Sequence, residues 1–95
     1  MKKLFISQAL DHKTYAEIMY ERQKAIRWVK LLFHDDIEVV NSVFQNTPDL
    51  WVLGKNLELM SEADVVIFLS NWKENINCKI EHICAMEYGI ESLEL

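Results

Sequence analysis

The chain has 95 residues, enough for one hydrophobic core and one domain. A hydrophobic share of 51% with 26% charged residues excludes an intrinsically disordered chain, and two glycines and one proline argue against a loop-rich all-β domain. The formal charge of −5, from 15 acidic and 10 basic residues, argues against nucleic acid or an anionic membrane as a partner, yet allows a small anionic ligand held by backbone N–H groups.

Leu4-Phe5-Ile6 is short and β-favouring, which predicts a buried strand. Ser7, Gln8 and then Asp11-His12-Lys13 end the run well before the apolar core of a signal peptide. Thr14 and Glu17 have the spacing of a capping box. From there Ile18, Arg22, Ala25, Ile26, Val29, Leu32 and Phe33 recur at helical spacing, so a helix is expected over about 14–34. Ile37 to Val40 reads as a second strand. The stretch 41–52, with the single proline Pro48, is the least regular. Leu53 to Met60 predicts a short second helix.

Asp64 to Leu69 is the strongest strand, a continuous apolar run of the kind found at the centre of a parallel sheet. Ser70 to Asn77 is polar, with Trp72 in the middle. Cys78 to Tyr88 predicts a third helix closed by Gly89 at C′, and 90–95 supplies a short edge strand. The order βαβαβαβ implies a single-domain α/β three-layer sandwich, flavodoxin-like or Rossmann-like, with about four parallel strands. No apolar run reaches membrane-spanning length. Cys78 and Cys84 are read as reduced thiols, and the expectation is a cytoplasmic protein without a membrane partner.

Open parallel sheets bind ligands beyond the carboxyl ends of their strands, where the strand order reverses. The loops after the first, second and third strands should meet there. The third leads into the last helix, whose first turn is expected to hold Glu81. There the helix dipole favours an ionised carboxylate, which can act as a nucleophile or simply complement the dipole. Glu81, Ala85 and Gly89 form a stripe whose small residues either admit a ligand or pack on the sheet; Ile80, Cys84 and Tyr88 read as core. Trp51 and Trp72 flank the expected cleft, as stacking faces for a base or as core closures. His12, His34 and His82 make no metal set, and Cys78 with His82 lacks two further ligands, so no metal or other cofactor is expected. No phosphate-binding glycine loop or serine-hydrolase elbow is present.

Phe5-Ile6-Ser7-Gln8, Ala63-Asp64-Val65-Val66 and Cys78-Lys79-Ile80-Glu81-His82, followed by Ala85 and Tyr88-Gly89, give the chain a family resemblance. It resembles the small phage and bacterial relatives of the nucleoside 2-deoxyribosyltransferases over nearly its whole length. The resemblance implies a nucleoside or nucleotide as ligand, with Glu81 as the nucleophile that attacks the anomeric carbon and releases the base. It also implies a homodimer or higher homo-oligomer in which a neighbour completes the site. Ser7, Gln8, Ser70, Trp72, Asn75 and Cys78 would line the ligand pocket.

The chain departs from the transferases at several places. Ser70 and Asn75 stand where they carry aspartates, and Asn77 and Cys78 where they carry glycine and threonine. Neither serine nor asparagine can protonate a leaving base; Asp11 or His12 would have to supply that acid. Two further expectations follow from this loss. One is a binding protein that holds a nucleotide or ADP-ribose-like signal without turnover, as a phage protein sequestering a defence signal would. The other is a structural dimer with a vestigial cleft.

Overall fold

A computed structural model describes all 95 residues. In chain order the elements are β1 (Lys2–Ser7), α1 (Tyr15–Phe33), β2 (Ile37–Val39), α2 (Asp49–Met60), β3 (Val65–Phe68), a 3₁₀ turn (Trp72–Glu74), α3 (Ile76–Glu87) and β4 (Glu91–Glu94). The four strands form one parallel sheet in the order β2-β1-β3-β4, with Leu4 opposite Val65 and Val65 opposite Glu91. This is the flavodoxin-like arrangement, whose strand order reverses between β1 and β3.

Because side chains alternate along a strand, each central strand feeds two cores. Leu4 and Ile6 of β1 join Val65, Ile67 and Leu69 beneath Ala25 and Val29 of α1. Phe5 joins Val66, Phe68, Met60 of α2 and Ala85 of α3 on the opposite face. The result is three layers, α1 over one face of the sheet and α2 with α3 over the other. Asp64 Oδ2 accepts from the Lys3 N–H at 2.8 Å and ties the starts of the central strands together.

The capping box forms as its spacing predicts. The Glu17 N–H donates to Thr14 Oγ1 at 3.1 Å, and the Thr14 N–H donates to Glu17 Oε1 at 2.9 Å. At the far end His34 adopts the left-handed conformation and closes α1. Gly89, at φ +69°, terminates α3. The Gly89 N–H donates to Met86 O and the Ile90 N–H to Ala85 O, the paired bonds of a Schellman motif.

Two helix starts differ from expectation. Helix α2 begins at Asp49 rather than Leu53, because Pro48 at the N-cap has no N–H to lose and Asp49 complements the dipole in the first turn. Helix α3 begins at Ile76 rather than Cys78, because the Asn75 side chain accepts from the Cys78 N–H at 3.0 Å and caps it. No helix is long and apolar enough to cross a membrane.

Candidate functional site

The carboxyl end of β1 divides two side chains between the two helical layers. Ser7 points toward α3, where its Oγ donates to Glu81 Oε1 at 2.6 Å. Gln8, one residue on, points toward α1. Its Nε2 donates to Ile18 O at 3.1 Å and Glu21 Oε1 at 2.8 Å, while its Oε1 accepts from Arg22 at 3.4 Å. Between the layers, over the strand-order reversal, lies a cavity of about 380 Å³ lined by Gln8, Arg22, Ser42, Asn56, Cys78 and Glu81 among others.

Glu81 is the central group, and its surroundings correct the sequence expectation. With α3 starting at Ile76, Glu81 falls in the second turn, and no acidic residue occupies the first. It is 2% exposed. Burial pushes its carboxyl up to about 7; the hydrogen bond from Ser7 and the Asn56 amide pull the other way and offset only part of the rise. The residue is thus a desolvated carboxyl poised near neutrality, not a carboxylate held ionised by the helix end.

The stripe that follows Glu81 also resolves. Ala85 is fully buried against Phe5, Val66 and Phe68, so its small size serves sheet packing. Gly89 serves as helix terminator, with open space where a side chain would lie. Tyr88, read as core, is 84% exposed, and Ile80 and Cys84 are half-buried; the inward face of α3 is Cys78, Glu81 and Ala85.

Of the other expected site residues, Gln8, Asp11, Asn75 and Cys78 line the cavity with Glu81. Asn75 Nδ2 donates to Asp11 Oδ2 at 3.2 Å across its rim. Burial drives the Cys78 thiol up to about 11, so it stays protonated, and both cysteines are free. His12 is brought elsewhere. It takes a left-handed φ of 62° and lies in an adjoining depression that shares Asp11, Glu74 and Asn75 with the cavity. Ser70 is exposed and faces a third depression beside Tyr20 and Lys24 of α1.

Trp72 does not line the cavity. Left-handed Asn71 (φ 71°) turns the chain after β3. The Trp72 ring then stacks on His82 at 4.0 Å and 12° and leans on Phe68 at 5.6 Å. Trp51 meets Phe44 edge-on at 5.4 Å, and Phe44 is the aromatic ring on the cavity wall. With His82 engaged by Trp72, no group of three or more His, Cys, Asp or Glu side chains is placed to hold a metal ion.

Arg22, Ser42, Thr47 and Asn56 are among the cavity's polar residues that went unassigned from sequence. Arg22 is 5% exposed and reaches Ser42 Oγ and Val40 O, both at 3.3 Å. Ser42 Oγ in turn donates to Ile6 O at 3.2 Å. Asn56 Oδ1 and Thr47 Oγ1 are buried without a hydrogen-bond partner. A signal existed for two of them. Arg22 interrupts the apolar stripe Ile18, Ala25, Val29 of α1, and Asn56 that of Leu53 and Met60 in α2; a polar residue on a core-facing stripe marks a group with a buried task. Compared with protein-family models, curated proteins and solved structures, the chain finds no match.

Proposed function

We propose that the cavity binds a nucleoside or nucleotide and that Glu81 cleaves or transfers its N-glycosidic bond. The observation that carries this reading is Glu81 itself: a carboxyl with its pKa raised to about 7, 2% exposed, oriented by one short bond from Ser7 on a polar cavity at the sheet's reversal point. A desolvated carboxylate is a stronger nucleophile than a hydrated one, and the neutral donors Ser7 and Asn56 fix its aim without neutralising it.

In the proposed reaction, a carboxylate oxygen of Glu81 forms a bond to the anomeric carbon as the C–N bond breaks. The departing base keeps the electron pair and takes a proton from water at the open rim of the cavity, where Asn75 holds Asp11. Water, or a second base, then displaces Glu81 and returns the proton. Phe44, rather than Trp72, is the aromatic surface for the base. No metal or organic cofactor enters this scheme.

A second reading is retention of an intact nucleotide. It is favoured by Asn75, whose side chain is committed to capping α3 and holding Asp11 and offers no proton of its own. Chromatography of the protein incubated with nucleosides, their 5′-monophosphates and ADP-ribose-type dinucleotides separates the readings. Free base that disappears with Glu81→Gln supports the transferase-type reading. Intact ligand retained by the protein supports the second, and neither outcome across the panel removes both.

A further inference from the structure

Arg22 presents a buried cation without a counter-charge. Arg22 is 5% exposed, yet no carboxylate lies within ion-pair distance of its guanidinium. Its three partners are neutral: Gln8 Oε1 at 3.4 Å, Ser42 Oγ at 3.3 Å and Val40 O at 3.3 Å. All three lie beyond the usual N–H···O range, whose upper end is about 3.2 Å. A guanidinium has about five N–H donors, so part of its capacity is left over. Desolvation lowers its pKa to about 10, which still leaves it charged at neutral pH.

A buried unpaired charge is costly, and Glu21, the carboxylate next to Arg22 in sequence, is engaged elsewhere: it accepts from Gln8 and pairs with Lys13 at 2.9 Å. What faces Arg22 instead is the cavity it lines. Thr47 Oγ1, buried and unpartnered, lines the same cavity and can donate to an oxyanion. The acidic side chains on the cavity, Asp11, Asp49 and Glu74, are solvent-exposed, and Glu81 belongs to the opposite helical layer. The cavity has two cations, Lys79, exposed on α3, and Arg22, buried on the α1 side with the least water to compensate its charge.

We propose that Arg22 is the anion-recognition residue of this cavity and that its ligand carries a phosphate monoester, so that a nucleoside 5′-monophosphate is preferred to the free nucleoside. The anion site rests on Arg22 and its neutral, stretched partners. The nucleoside part rests on the proposed function. Planar, two-pronged donation to phosphate oxygens is the use for which arginine surpasses lysine.

The test uses the whole chain and two probes. Inorganic phosphate, compared with chloride at equal ionic strength, is read by thermal shift; a nucleoside panel and its 5′-monophosphates are read by equilibrium dialysis. In the wild type, phosphate should raise Tm and each bound monophosphate should bind about tenfold or more tighter than its nucleoside. Arg22→Gln should abolish both effects, and Arg22→Lys should restore them only in part. The wild-type comparison needs no variant, so a misfolded substitution does not rescue the idea. Equal binding of nucleoside and monophosphate overturns the phosphate preference while the nucleoside reading stands. A phosphate effect that needs Arg22, with no nucleotide bound, keeps the anion site and overturns its nucleotide occupant. No phosphate effect and no monophosphate preference overturns the proposal outright.

Discussion

The Ser7 hydroxyl donates to Glu81 Oε1 at 2.6 Å across 74 positions of sequence. That bond joins the end of the central strand to the second turn of the last helix. It gives Glu81 its orientation, while the surrounding burial gives it its proton affinity. The first consequences concern pH.

Glu81 holds a proton in the folded chain up to about pH 7, whereas in the unfolded chain it loses it near 4.5. Between those values the folded state binds more protons, so stability falls as pH rises. The favourable contribution is complete below 4.5 and is lost as pH climbs through about 7. Glu81→Gln resembles the protonated carboxyl. Denaturant unfolding should therefore find Glu81→Gln more stable than wild type near about pH 8, by on the order of 3 kcal/mol, and little changed near about pH 4. A variant less stable than wild type at the higher pH would show that the carboxylate is well compensated in the fold.

Ser7→Ala removes the donor that holds the Glu81 pKa down. The carboxyl should then titrate at still higher pH, read by carbon-detected NMR of labelled glutamate. The variant should also lose about 1–3 kcal/mol at alkaline pH, where a buried carboxylate is left without its bond. Titration unchanged from wild type would mean that Ser7 does not govern this proton.

Asn75→Ala removes the cap of α3 and should cost about 1 kcal/mol in denaturant unfolding. Asn75→Asp keeps an acceptor for the Cys78 N–H and should recover most of that loss. Equal destabilisation by both substitutions would place the effect in the contact with Asp11 rather than in the cap.

Cys78 is buried with its thiol pushed up to about 11, so almost no thiolate forms near neutrality. Iodoacetamide should leave Cys78 unmodified in the folded chain and label it on unfolding, as read by peptide mass mapping. Rapid labelling under native conditions would show that the α3 start opens.

Much of the fold was legible because local chemistry and global pattern agree. The apolar runs of β1 and β3, the capping box at Thr14 and Glu17, and Gly89 at a helix end each act within a few residues. The helix starts at Asp49 and Ile76 were less so. Pro48 contributes only a missing donor, and Asn75 looks like loop until its side chain is seen to cap. That shift of two residues moved Glu81 from a helix end into the interior. The groups that hydrogen-bond it there, Ser7 of β1 and Asn56 of α2, lie far away in sequence.

Side-chain direction in the loops was the other hidden quantity. The left-handed conformations at His12 and Asn71 are local events that composition does not announce, and beside them Ser70 and Trp72 fall outside the cavity while His12 lines the adjoining depression. Arg22 was visible as a member of the inward stripe of α1; its lack of a carboxylate partner was not, because that depends on which strand ends surround it.

The most direct test of the account is release of free base, measured alongside ligand retention, for wild type and Glu81→Gln on the same panel of nucleosides and 5′-monophosphates. The wild type should release base, and Glu81→Gln should lower that release by about a thousandfold or more while keeping ligand affinity within about threefold. Base release that survives in Glu81→Gln at the wild-type rate would contradict the account, because the bond would then be broken by some group other than Glu81.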